Sequence, residues 1–211
     1  MTEHSPTEDR FTIMKQALQA FQVERLKTTY ADQMDNPDYF KLGHFFFEQI
    51  YSVQDFGFRN ESIKTLHHKL SHIMKGEIVD ILGKVIELHD LTDTMDDQMV
   101  RMMMDRQIGP DLTMEQYQDI YRNAHNYDQR RHQIELMVEC IRLVHHLSRR
   151  RWIKWSLKSV HAAAHLAGMS KIMDFLLQGY DAFHSAEDIT FFVDTIYARE
   201  TDLNNRLFGL G

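Results

Sequence analysis

From Glu77 to Met104, apolar residues return every three or four positions: Ile78, Ile81, Leu82, Val85, Leu88, Met95, Met99 and Met103. That is the helical period, and no proline interrupts it, so this stretch is constrained to one long amphipathic helix. The same period recurs through most of the chain, and no segment alternates for long with the two-residue period of a strand. Only 9 glycines and 3 prolines occur among 211 residues, few for a chain rich in strands or loops.

Breaks in the period divide the chain. A polar tail, residues 1–6, precedes a first helix from Thr7 to about Ala31, striped by Phe11, Met14, Leu18, Phe21 and Leu26. Asn36-Pro37 ends it. A second helix, from Asp38 to Val53, is apolar around most of its circumference and therefore central. The third is expected over Asn60 to Met74, with Asn60 as N-cap. Gly76 precedes the long fourth helix, and Gly109-Pro110 follows it. Thr113 and Gln116 have the capping-box spacing and open a fifth helix that ends near Asn126. A sixth spans Asp128 to Ser148. The basic aromatic stretch Arg149 to Trp155 opens a seventh, which ends near Gly168. Ser170 to His184 forms the eighth, and Ser185 with Asp188 caps a ninth that reaches Phe208 before Gly209. The connections are short and none has the composition of an interdomain linker. The expectation is an all-α fold, a single-domain multi-helix bundle of about eight to nine helices over residues 7–211. One internal echo stands out: Phe45 to Tyr51 and Phe191 to Tyr197 both read Phe-Phe-x-acid-x-Ile-Tyr. Convergent aromatic packing explains five matches over seven positions better than duplication does.

Charge and cysteine content narrow the function classes. A net charge of −7 opposes general nucleic-acid binding, which needs phosphates neutralised. Cys140 is the only cysteine, so no intrachain disulfide can form and a reducing compartment is natural. The opening MTEHSPTEDR is acidic and polar, unlike a secretory signal, and no run of about 18 apolar residues suggests a membrane span. The expected location is cytoplasmic.

Several polar residues occupy apolar faces. With Val85 set at zero on a helical wheel, Asp96 falls at about 20° and His89 at about 40°, both on the stripe of the fourth helix. Arg130 and Gln133 fall within the apolar arc of the sixth. Arg199 lies among Phe192, Ile196 and Leu203 on the ninth, with Glu200 at its flank. Buried polar groups must find partners. These residues therefore form either a structural salt-bridge network between three helices or a pocket for an anion or small polar ligand. Glu48 lies opposite Phe46 and Ile50. It becomes interior only if the second helix is surrounded, in which case Tyr51 shares its hydrogen bonds.

Catalytic and metal motifs are missing. No nucleophile elbow, phosphate loop, dinucleotide fingerprint or zinc-protease motif appears. His68 with His72, and His161 with His165, have a spacing that can hold a metal. A bundle di-iron site needs Glu-x-x-His motifs, and the chain has none. Cys140 sits on an apolar face and reads as core. Arg149, Arg150, Arg151, Trp152 and Trp155, with Lys154, could meet an anionic membrane surface or an acidic partner. The alternative is a solvated helix start whose tryptophans fold onto the bundle.

The segment FFFEQIYSVQDF, with Arg59 after it, resembles the opening motif of an uncharacterised family of bacterial all-helical proteins, often written FFLEELYG. The segments ELHDLTDTMD, HQIELMVE, FLLQGYDAF and RETDLNNRLF resemble later parts of that family, in order, over most of the chain. The resemblance implies that Glu48, Tyr51, Arg59, His89, Asp96, Gln133 and Glu200 match family positions. Phe47 stands where the family usually has Leu, and Ser52 where it has Gly. The resemblance implies an all-helical fold and no established activity.

Together these features predict a non-catalytic binding or protein-interaction module with a buried polar network. The alternative is a small-ligand or metal-binding helical protein, with enzymatic activity in reach, built on His89, Asp96, Arg130 and Glu200. Candidate ligand-binding residues are Glu48, Tyr51, Arg59, His89, Asp96, Arg130, Gln133, Arg199 and Glu200. Partners are an unidentified protein or small polar ligand, and the cofactor is unknown. A surplus of aromatics also makes self-association an expectation.

Overall fold

The computed structural model describes residues 6–50, 77–155, 157 and 170–210. The expected third helix, the end of the second and most of the seventh lie outside them, as do Tyr51, Arg59 and the two histidine pairs. Among the described residues every regular element is helical, giving an all-α multi-helix bundle. We number its α-helices α1 (Pro6–Thr29), α2 (Ala31–Met34), α3 (Phe40–His44), α4 (Glu77–Asp105), α5 (Met114–Asn123), α6 (Tyr127–Ser148), α7 (Ser170–Ser185) and α8 (Thr190–Phe208). Residues 151–155 are also helical. The long α4 packs against α1 and α6, and α8 packs against α6 and α5.

Local sequence signals explain most helix ends. The capping box before α5 is complete: the Gln116 N–H donates to Thr113 Oγ1 at 3.2 Å, and the Thr113 N–H to Gln116 Oε1 at 3.0 Å. Gly209 takes the left-handed conformation, φ 74°, that closes α8. The start of α8 differs from the expected cap. Ser185 ends α7 instead, its hydroxyl donating to the Ala182 carbonyl at 2.7 Å. Asp188 alone holds the new helix, accepting from the Thr190 N–H at 2.8 Å. The fifth helix stops at Asn123 because His125 adopts a positive φ of 51°.

The second expected helix also departs from regularity. After α3 the chain widens into a π-helical segment, Phe45–Ile50. Each residue there turns by less than the ordinary advance of about 100°, so three consecutive rings stay within one arc. Phe45, Phe46 and Phe47 are all buried. Phe45 lies directly on the backbone of α7: a Cβ at Gly179 would come within 2.8 Å of its ring, so this crossing requires glycine.

The core forms two clusters. One gathers Tyr30, Leu42, Phe45 to Phe47, Met137, Phe183, Phe192 and Ile196. The other gathers Leu18, Met99, Met103, Tyr117, Ile120, Tyr121 and Leu207. The two halves of the sequence echo meet inside the first: the Phe46 and Phe192 rings lie edge to face at 6.1 Å. Their equivalents Phe45 and Phe191 differ, since Phe191 remains 60% exposed.

Candidate polar cavity at the junction of the two cores

Each helix that reaches the junction presents a strip spaced by three or four residues. Helix α1 brings Gln22, Arg25 and Leu26, α4 brings Leu88, Thr92 and Asp96, and α5 brings Tyr117 and Tyr121. Helix α6 adds Arg130, Gln133, Ile134 and Met137, and α8 adds Ile196, Glu200 and Leu203. Tyr30, Phe46 and Phe47 form one side, and the walls line a partly open cavity of about 90 Å³. A void of that size among polar groups holds more than one water.

One ion pair is fully formed. The Arg25 guanidinium donates to both Glu200 oxygens at 3.1 Å, and the two side chains are only 12% and 13% exposed. The Tyr30 hydroxyl donates to the same carboxylate at 2.9 Å. Burial opposes the Arg25 charge, but Glu200 together with Tyr117 and Tyr30 offsets it and raises the guanidinium further above its usual range.

Arg130 has no such partner. It is 4% exposed. Its Nη1 lies 3.4 Å from Gln133 Oε1, a weak bond, and its Nη2 lies 3.1 Å from the Met99 sulfur, a weak acceptor. Its Nε has no hydrogen-bond partner among the described residues, and no carboxylate comes within ion-pair distance among them. The guanidinium stands 4.6 Å over the Tyr121 ring. Gln133 in turn donates to Thr92 Oγ1 at 2.7 Å.

Asp96 accepts from Gln22 Nε2 at 3.0 Å. Burial raises its carboxyl above the usual 3.8, against the pull of Arg130 and the Gln22 hydrogen bond. The folded protein therefore holds a proton at Asp96 at pH values where the unfolded chain has lost it. Stability from this group falls as pH climbs above about 3.8, and levels off once the folded carboxyl has ionised. Asp96→Asn keeps the acceptor for Gln22 and removes that loss. Denaturant unfolding should show the variant gaining on the wild type between pH 4 and pH 7. A constant difference across that range contradicts the account.

Other expected site residues lie elsewhere. Arg199 turns away from the cavity and binds Asp32 through two hydrogen bonds of 2.7 Å, while also donating to the Thr29 carbonyl at 2.6 Å. It fastens α8 to the end of α1. Glu48 pairs with His44 at 3.1 Å on a partly exposed face. His89 is mostly buried, with Nε2 3.9 Å from Asp90, and does not line the cavity. Thus Asp96, Arg130, Gln133 and Glu200 converge, and Glu48, His89 and Arg199 do not. Gln22, Arg25, Tyr30 and Thr92 were not among the expected residues. A wheel would have found Arg25: with Met14 at zero it falls at about 20°, between Met14 and Leu18. Thr92, at about −20° from Val85, was equally accessible.

Two further features bear on chemistry. Burial pushes the Cys140 thiol up to about 12, so the thiolate that alkylating reagents attack is scarce. Iodoacetamide should label native Cys140 at least ~10-fold more slowly than the unfolded chain at pH 8; equal rates mean the thiol is accessible. Both tryptophans of the basic stretch keep exposed surface: Trp152 is 47% exposed and Trp155 74%. Among the described residues, no group of three or more His, Cys, Asp or Glu side chains is arranged to hold a metal ion. None of the described helices is long and apolar enough to cross a membrane.

Compared with known proteins, residues 2–210 match a family described as a domain of unknown function, DUF8198. No curated protein and no solved structure is similar to the chain.

Proposed function

The chain belongs to the DUF8198 family, and on that premise we propose that it is a non-catalytic cytoplasmic binding module whose buried polar cavity takes up a small polar ligand. One observation carries the reading: Arg130 is buried beside a cavity without a carboxylate in contact among the described residues. Leaving a guanidinium so placed costs several kcal/mol. A purely structural network would pair it with a carboxylate, as Glu200 pairs with Arg25. Retaining an incomplete cation is expected where a ligand supplies the missing partner. The buried single cysteine suits a reducing compartment.

Thermal unfolding with small neutral, anionic and cationic metabolites tests this. The reading expects at least one class to raise the wild-type midpoint and to have no effect on Arg130→Met. It also expects Arg130→Met alone to keep the wild-type stability, because the variant removes a poorly compensated buried charge. No response to any class, together with a loss of about 3–5 kcal/mol in Arg130→Met, would mean a structural network instead.

The exposure of Trp152 and Trp155 beside three arginines supports a second reading, contact with an anionic membrane surface. Phosphatidylserine vesicles should then sediment the protein where neutral vesicles do not. Equal recovery with both removes this reading.

A further inference from the structure

We infer that the ligand of this cavity is a short aliphatic monocarboxylate, its carboxylate held by Arg130 and its tail against the apolar wall. The inference rests on the proposed binding role and adds the chemical class. Three observations carry it.

The first is the state of the Arg130 donors. A guanidinium offers five N–H groups in a planar fork that matches a carboxylate bidentately. Here the Nε group is unpartnered among the described residues, and the two recorded contacts, to Gln133 and the Met99 sulfur, are weak. A neutral ligand would leave the cation uncompensated, and a cationic one would add a second positive charge beside it.

The second is the composition of the walls. Beside Arg130 the cavity meets Gln133 and the Tyr117 phenol, which has no hydrogen bond among the described residues and which burial keeps in its neutral, donating form. Leu26, Phe46, Leu88 and Met137 form an apolar part of the wall; of the carboxylates that also line it, Glu200 is paired with Arg25 and Asp96 accepts from Gln22. A phosphate or sulfate would press polar oxygens on that hydrocarbon. A methyl or methylene chain would lose only its contact with water.

The third is size. A cavity of about 90 Å³ is far below the volume of sites for drug-sized ligands. It suits a molecule of roughly four to seven heavy atoms, the range from acetate to valerate.

Isothermal titration of the full chain with acetate, propionate, butyrate and valerate, each against its primary amide and against sodium chloride at equal ionic strength, tests the class. One carboxylate should bind at one per chain, and its amide about 10–100-fold more weakly, since a charge-assisted bond has been exchanged for a neutral one. Arg130→Lys should weaken the carboxylate at least ~10-fold, because an ammonium cannot form the fork. The wild-type comparison decides even if that variant folds poorly. Binding of an amide as tight as its acid overturns the carboxylate and leaves the polar-ligand reading standing. Failure of acids and amides alike overturns the inference, and the metabolite screen then decides separately whether the binding role survives.

Discussion

Glu200→Ala should cost the protein about 3–5 kcal/mol of stability, the loss seen when one partner of a buried ion pair is removed. Both side chains are nearly sealed from solvent, and Arg25 gives the carboxylate two hydrogen bonds of equal length. Its own Nε already lacks a partner among the described residues. Removing Glu200 strands a cation in the core and takes away the acceptor of the Tyr30 hydroxyl. For a chain of this size the midpoint should fall by roughly 6–20 °C. The double variant Arg25→Met with Glu200→Leu should recover most of the loss, because the cost lies in the unpaired charge. A loss below ~1 kcal/mol in the single variant would place the pair among solvent-screened surface bridges and contradict its burial.

Phe47→Ala is expected to be comparably damaging, at about 3–5 kcal/mol. The ring is fully buried. It stacks on Tyr30 at 4.5 Å, nearly parallel, and meets Phe46 edge to face at 5.1 Å. Truncation leaves a hole that merges with the polar cavity, since Phe47 is part of its wall. Water can then reach Arg25 and Glu200, so the variant should also weaken any ligand that the cavity binds. Phe191→Ala, in the echoed motif but exposed, should stay within about 0.5 kcal/mol of wild type. Urea unfolding of the two variants side by side provides the check: similar losses would mean that the aromatic motif, rather than burial, sets the cost.

The helical period made much of this architecture readable in one dimension. The long helix was expected over Glu77 to Met104 and spans Glu77–Asp105, and the Thr113 capping box formed both of its bonds. These features depend on a few neighbouring residues and on the geometry of a single helix. The π-helical segment was not readable. Its three successive rings meet Phe175, Phe183 and Phe192, residues far away in the chain that no local pattern brings near.

The polar residues divide in the same way. By itself the sequence determined that Asp96, Arg130 and Gln133 lie on faces turned inward, because face membership follows from spacing along one helix, and it placed Glu200 only at the flank of such a face. Only the tertiary structure decided their partners. Arg199 and Glu200 are adjacent in sequence, yet one closes on Asp32 in α2 and the other on Arg25 in the interior. Consecutive side chains of a helix point about 100° apart, so the two meet different neighbours. Likewise Arg130 reached the cavity without a carboxylate in contact. Whether a buried charge is completed depends on the distance and orientation of neighbouring helices, which no single helix encodes.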